Sequence, residues 1–369
     1  VTDASGRRGK GMGRTFIIAE AGVNHNGSLD LALRLVDAAA SAGVDAVKFQ
    51  TFRADRLVTR TVPTAAYQQQ SGSAGRTQFE LLHRLELSEA EHRVIAARCR
   101  ERNVQFLSTP FDEQSLDFLA GKLKVPALKI SSGDLTNAPL LLRAAMTGLP
   151  IYLSTGMSTL GEIEQALMVL AFGYLHGRTA LPTASALRQA YASEEGQSLL
   201  RERVVLLHCT TEYPCPYDEV NLRAMRTLNE TFGLPVGISD HTEGIVVPIA
   251  AVAMGASVIE KHFTLDRNLP GPDHRASIEP EELVQMVRTI RQTEQALGRG
   301  LKFPTPSEAK NREVVRKGLV TTRPVRRGER FTTDNLAIKR GGGAEPILYW
   351  DFLGRVAERD YEADEPVTS

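Results

Sequence analysis

The chain has 369 residues, 42% of them hydrophobic, and its 44 lysines and arginines balance 44 aspartates and glutamates for a formal charge of +0. That length holds one barrel-sized domain of about 250 residues plus a small companion, and the charge balance gives no electrostatic case for a nucleic-acid partner or an anionic membrane surface. Three scattered cysteines, Cys99, Cys209 and Cys215, make neither a disulfide framework nor a CxxC metal site, so a reducing cytoplasm is the simplest setting.

Residues 1–14 are polar, basic and glycine-rich, lack the apolar stretch of a signal peptide, and read as a disordered leader. No later segment approaches a membrane span. From Phe16 onward, short apolar runs recur and close on residues suited to chemistry. FIIAE (16–20) leads to Asn24-His25-Asn26-Gly27, VDAVKFQ (44–50) carries Lys48, and VQFLS (104–108) leads to Thr109. ALKIS (127–131) places Lys129 before Ser132, Gly133 and Asp134, and IYLS (151–154) leads to Thr155-Gly156-Met157. VVLL (204–207) leads to His208, LPVGIS (234–239) to Asp240-His241-Thr242, and SVIE (257–260) to Lys261-His262.

Most of these runs precede an amphipathic helical stretch. The first is 29–43, with Leu29, Ala32, Leu33, Val36 and Ala40 on one face, Ser28 as N-cap and Gly43 as stop. This alternation predicts an α/β fold, a (β/α)8 TIM barrel over 15–298. An open doubly wound sheet would gather its chemistry at one switch point, whereas here polar groups close nearly every strand. Residues 53–87, with the glutamine-rich stretch 67–78, form a long excursion expected on the catalytic face as a mobile loop. An insertion near 174–202 reads as peripheral decoration. After a helix at 281–298, residues 299–315 read as an ordered linker across the barrel surface, and 316–369 as a small β-rich domain.

His241 and His262 close neighbouring strands, which lie about 5 Å apart in a sheet, so both imidazoles could reach one ion. Glu260 and Asp273 could add carboxylates, and such a set leaves open positions on a divalent ion such as Mn²⁺ or Mg²⁺. A single histidine is more often structural; two at adjacent strand ends favour a metal. Lys48 and Lys129 are open to three readings. They could pair with interior carboxylates, or build an anion site with Thr109, Ser132 and Ser154. Either could also form a Schiff base with a carbonyl substrate, as in an aldolase. Glu20 sits badly with the plain reading of its region as a turn, which explains Asn26-Gly27 well. Met157 and Phe111 are expected as walls of the site.

Together the segments IAEAGVNHNGS (18–28), VKFQTF (47–52), STPFD (108–112), KISSGDLTN (129–137), LSTGMST (153–159), LLHCTTEYPCPYDEVNL (206–222), GISDHT (237–242) and EKHFTLDRNLPGPDH (260–274) resemble the sialic acid synthase family. GERFTTDNLAIKR (328–340) and FLGRVAERDYEADEPV (352–367) resemble its C-terminal antifreeze-like (SAF) domain. The resemblance implies a transferase that condenses phosphoenolpyruvate with an N-acylated mannosamine-type hexosamine, giving a nine-carbon 2-keto acid and phosphate. It implies that Lys48, Thr109, Lys129, Ser132, Ser154, Thr211 and Ser239 line the phosphoenolpyruvate site, and that His241 and His262 hold the divalent metal. Glu20, Asp134, Tyr213, Glu260 and Asp273 would surround the sugar and the reacting carbons. Arg340 would reach onto the partner subunit's barrel in a homodimer with swapped C-terminal domains.

Two departures stand out. The chain reads Arg340-Gly341-Gly342-Gly343 where family members often read Arg-Pro-Gly, and Thr211 stands where some have asparagine. His208, in place of lysine, points away from the pseudaminate branch.

Overall fold

The computed structural model describes residues 13–63, 77–177 and 179–368. The leader, apart from Gly13 and Arg14, and the glutamine-rich stretch, apart from Thr77 and Gln78, lie outside the described residues. The chain divides into two compact units, Val1–Gly298 and Arg299–Ser369.

In the first unit each of the eight apolar runs becomes a strand. They are β1 (Phe16–Gly22), β2 (Ala46–Thr51), β3 (Gln105–Pro110), β4 (Leu128–Ile130), β5 (Ile151–Ser154), β6 (Val204–Cys209), β7 (Val236–Asp240) and β8 (Val258–His262). Parallel ladders run in the order β3-β2-β1-β8-β7-β6-β5-β4, and the two end strands pack side by side, so the sheet curls into a nearly closed barrel. The helices around it are α1 (Leu29–Ala42), α2 (Gln78–Leu85), α3 (Glu89–Glu101), α4 (Glu113–Asp117), α5 (Ala138–Met146), α6 (Leu160–His176), α7 (Ala184–Ala192), α8 (Glu194–Arg203), α9 (Ala224–Phe232), α10 (Val246–Ala253) and α11 (Pro280–Leu297).

Local chemistry sets these boundaries. Ser28 caps α1 by accepting the Leu31 N–H at 3.4 Å, and Gly43 ends it with φ 81°, a conformation that costs a residue with a Cβ. Reciprocal capping boxes start α3 (Ser88 with Glu91) and α6 (Thr159 with Glu162). The fully buried face of α1 is Ala32, Leu35, Val36, Ala39 and Ala42, while Leu29, Leu33 and Ala40 sit at its margin. The sequence pattern places the stripe about one residue off, because alanine and leucine occupy both its centre and its edge. The 174–202 insertion folds as α7 and α8, which pack on α6.

Strand periodicity divides the barrel into inside and outside. Outward residues such as Ile17, Ala19, Val47, Phe49, Leu153 and Leu206 join the main core beneath the helices. Inward residues Ile18, Ala46, Leu107, Tyr152, Val205, Leu207 and Val258 form a separate apolar layer, with Phe16 stacked on Tyr152. Two residues further along each strand, the inward positions turn polar: Glu20, Lys48, Thr109, Ser154, Cys209 and Glu260. The barrel interior is therefore an apolar plug overlaid by charge.

In the second unit, residues 305–315, read as linker, contain a helix, α12 (Pro306–Val315), begun by a Thr305–Glu308 capping box. Antiparallel β9 (Lys317–Thr321) and β10 (Leu336–Arg340) follow, in register from Leu336↔Thr321 to Arg340↔Lys317. Leu319, Val325, Phe331, Leu336, Phe352, Ala357, Tyr361 and Val367 give this unit its own small core.

Candidate active site

The strand ends open into a cavity of about 430 Å³. Its floor holds four buried charges. Glu20 and Lys48 are register partners on β1 and β2, with Glu20 Oε2 2.7 Å from Lys48 Nζ. Glu260 on β8 lies between the two lysines, with Oε2 3.8 Å from Lys48 and Oε1 3.4 Å from Lys129. Lys48 also donates to Thr109 Oγ1 at 3.0 Å, and Ser239 Oγ donates to Glu260 Oε1 at 2.8 Å. Two cations and two carboxylates make this floor neutral overall, which is how ionic groups are tolerated in a barrel interior.

The two carboxylates are driven apart. Burial pushes Glu20 up to about 7 against the pull of Lys48. Glu260 feels the same burial, but Lys129, Lys48 and the Ser239 hydroxyl outweigh it and hold it at about 2. Burial also works against the Lys48 ammonium, yet Glu20 and Glu260 keep its pKa above the usual lysine value. Lys129 ends below that value, because burial and the neighbouring Lys48 exceed the help from Glu260. One carboxylate that is permanently ionised beside one that titrates near neutrality is the arrangement general acid–base chemistry needs.

Beside the lysines, three loops meet. Ser132 Oγ accepts the Gly156 N–H at 3.0 Å and lies 3.4 Å from Cys209 Sγ. A Cβ on Gly156 would stand 2.5 Å from Thr211 Oγ1, 2.8 Å from Ser132 Oγ and 3.0 Å from Cys209 Sγ. Ser154 Oγ is buried here with no hydrogen-bond partner. Hydroxyls, a glycine amide and two ammonium groups compose a cradle for a phosphate or carboxylate.

One step above the floor, His241 and His262 face each other with ring centroids 5.3 Å apart, and Tyr213 lies 4.1 Å from the first and 5.6 Å from the second. His241 Nδ1 donates to the Thr210 carbonyl at 2.7 Å, so that in the neutral ring the lone pair is on Nε2. Burial depresses His262 well below the usual histidine value, its Nδ1 has no hydrogen-bond partner, and Asp273 Oδ2 lies 3.8 Å from that nitrogen. Burial raises Asp273 to about 6. Among the described residues, no group of three or more His, Cys, Asp or Glu side chains converges tightly enough to cage an ion. Burial works against a charged His241, yet contacts with Cys209 and Thr210 raise its pKa above the usual value, and its Nε2 lies 3.4 Å from Ser239 Oγ. With His262 kept neutral beside it, two cavity-facing imidazoles fit an open divalent site whose remaining ligands are oxygens from water or substrate, the ion displacing the proton from His241.

The remaining wall is apolar. Val23, Leu81, Leu82, Leu85 and Phe111 line it, and α2, from the 53–87 excursion, supplies the three leucines. Met157 lines the mouth.

Thirteen of the fifteen residues named from the sequence therefore border one cavity: Glu20, Lys48, Thr109, Lys129, Ser132, Ser154, Thr211, Tyr213, Ser239, His241, Glu260, His262 and Asp273. Asp134 is not among the lining residues; its carboxylate accepts from Ser131 Oγ at 2.7 Å and from Asn137 Nδ2 at 3.1 Å, fastening its own turn. Arg340 ends β10 in the second unit. Sequence reasoning missed Gln50 and Ser131, two residues beyond Lys48 and Lys129 on the same faces, and the leucines of α2. Period-2 alternation carried one step further finds the first two. Cys209 also borders the cavity, and His241 and Ser132 hold its thiol below the usual value despite burial.

Residues 35–302 match the NeuB family and residues 316–369 the SAF domain. The N,N'-diacetyllegionaminic acid synthase of Campylobacter jejuni is 44% identical over 355 residues, covering 96% of this chain and 99% of that one. The enzyme of the same name from Legionella pneumophila is 46% identical over 94% of this chain and 91% of its own. Among solved structures, the N-acetylneuraminic acid (sialic acid) synthetase of Leptospira borgpetersenii, crystallised with citrate, superposes with a TM-score of 0.65. It is 34% identical, over 82% of this chain and 92% of that one.

Proposed function

Since the chain belongs to the NeuB family and is an enzyme of the transferase type, we propose that it condenses phosphoenolpyruvate with an N-acylated mannosamine-type sugar, releasing phosphate and a nine-carbon 2-keto sugar acid. The observation that carries this reading is the pairing, in one cavity, of a lysine- and hydroxyl-lined cradle with two facing imidazoles one step above it.

Lys48, Thr109, Lys129, Ser132, Ser154, Thr211 and Ser239 would hold the enol phosphate, the ammonium groups neutralising its phosphate and carboxylate. His241 and His262 would hold Mn²⁺ or Mg²⁺. When bound, that ion acts as a Lewis acid on the acceptor aldehyde.

The chain's own groups carry the rest. C3 of the enol phosphate forms a bond to the aldehyde carbon while the C=O π pair moves onto the aldehyde oxygen, which takes up a proton to become a hydroxyl; C2 becomes cationic, which ionised Glu260 would stabilise from the floor. Water adds to C2 and gives its proton to a carboxylate, for which Glu20, titrating near neutrality, is the suited base. The C2–O bond of the resulting hemiketal phosphate then breaks as the C2 hydroxyl closes to the ketone and gives up its proton, which balances the one taken by the aldehyde oxygen, and Lys48 and Lys129 would receive the departing phosphate. Tyr213 and Asp273, which line the same cavity, would border the acceptor, with its far end toward the leucine wall of α2.

Phosphate release that needs both phosphoenolpyruvate and an N-acylated mannosamine, and stops on chelation, is the expected result. An aldolase would instead be trapped by borohydride as a pyruvate adduct on Lys48 or Lys129, and that adduct would defeat the transferase reading. The family resemblance also carries the proposal of a homodimer that exchanges its C-terminal units, with Arg340 acting in trans. Mixing Arg340→Ala chains with Lys129→Met chains then restores activity after subunit exchange, and its absence in proven heterodimers counts against the exchange.

A further inference from the structure

Lys261 lies between Glu260 and His262 on β8, so strand alternation turns it to the outer face of the barrel wall, where it is fully buried. Its ammonium is 2.6 Å from Asp240 Oδ2 on β7 and also donates to the Thr242 carbonyl. Asp240 Oδ1 accepts the Thr242 N–H at 3.0 Å, and Oδ2 accepts the Thr242 hydroxyl at 3.1 Å. The result is a closed knot of directed bonds around one residue. His241 stands between Asp240 and Thr242 and points the other way, into the cavity, while its carbonyl accepts the Cys215 N–H at 2.9 Å. The knot thus ties both chain neighbours of His241 to the chain neighbour of His262.

A buried ion pair is a poor way to stabilise a barrel, because the desolvation of both charges offsets their attraction and an apolar replacement is often neutral or better. What several directed bonds to a carboxylate and a carbonyl supply is fixed geometry. We propose that Lys261, Asp240 and Thr242 are positioning residues that set His241 against His262 at the spacing a divalent ion requires. The proposal rests on the metal reading above and extends it to residues outside the cavity.

The test uses the full chain without substrates. Mn²⁺ affinity is measured by the loss of the free-ion electron paramagnetic resonance signal, alongside thermal unfolding. Asp240→Asn/Lys261→Met removes both charges together and leaves neither one buried alone; Thr242→Ala removes a single hydroxyl bond. Partners that orient metal ligands typically change affinity by about 10–100-fold. The double variant is therefore expected to melt near the wild type and to bind Mn²⁺ at least about tenfold more weakly. Thr242→Ala falls between, and excess Mn²⁺ recovers kcat in both, which a purely structural defect would not allow. Wild-type Mn²⁺ affinity in the folded double variant overturns the proposal. So does an unfolded double variant beside a Thr242→Ala chain of wild-type affinity. A wild-type chain that takes up no Mn²⁺ removes the metal reading itself, and this one with it.

Discussion

Gly156 has no room for a side chain beside the anion cradle. Its amide donates to Ser132 Oγ, and any side chain there would press on Ser132, Thr211 and Cys209 at once. Gly156→Ala is expected to push these groups out of the anion cradle. Overpacking costs about 1–3 kcal/mol, or roughly fivefold to 150-fold in a binding constant. Because the strain falls on the cradle, the loss should appear as a raised KM for phosphoenolpyruvate with the sugar KM little changed, alongside a fall in melting temperature of at most a few degrees. Steady-state kinetics with each substrate varied in turn separate this from general damage. An equal rise in both KM values would count against the cradle.

At the scale of elements, α2 is the piece that shapes one wall. A Thr77–Glu80 capping box starts it, and Leu81 and Leu85 pack with Val23 and Phe52 in a cluster of their own, leaving Leu82 at the edge. A polar group placed on such a wall, or a hydroxyl pressed against it, loses water without gaining a partner. Leu82→Asn is therefore expected to change acceptor preference on the order of tenfold, in favour of sugars hydroxylated at the far end. Relative kcat/KM across N-acylated mannosamines and their deoxy, diacetamido relatives is the measurement. An unchanged ranking would place the acceptor elsewhere.

The same scale shows how much of the site could be read in advance. Lys48, Lys129, His241 and His262 announce themselves because strand alternation fixes which side faces inward, and a charge on that side of an apolar run is seldom there for packing. Asp134 is less legible for a converse reason: a short acidic residue after a strand serves equally well as a local turn fastener, and here it binds Ser131 and Asn137. The leucines of α2 resemble those of any amphipathic helix, and only tertiary packing turns them toward the cavity. The Lys261–Asp240 pair needs the register of β7 against β8, Asp240↔Lys261, which is a property of the sheet and not of either segment alone.

For the molecule as a whole, stability should depend on pH through buried histidines. His25 is 1% exposed; burial, helped by His92 and His274, lowers it to about 4, while its Nδ1 accepts the Gly27 N–H at 3.0 Å. Between that value and the ordinary 6.5, the unfolded chain binds the proton that the folded chain refuses. The stability from neutral His25 is thus complete above pH 6.5 and is lost as pH falls through about 4, amounting to about 3 kcal/mol. His25→Asn keeps an acceptor for Gly27 and removes the titration. Denaturant unfolding of the two chains from about pH 7 to about pH 4 should show the wild type losing ground to the variant. Parallel curves would mean that His25 does not titrate in this range.

The apolar plug of Ile18, Leu107, Tyr152, Leu207 and Val258 has a consequence for traffic. Among the described residues it closes the cavity at its base, so what enters from the strand ends is expected to leave the same way. The lysine floor lies one strand step below the histidines, and a reactant seated there would be covered by one seated above it. The enol phosphate is therefore expected to load first and the sugar second. Phosphate left on the floor occupies the very place the next enol phosphate needs. Inorganic phosphate should compete with phosphoenolpyruvate in initial-rate kinetics and be unable to compete with the sugar, and the reverse pattern would require a second way out. A barrel sealed at its base imposes a queue.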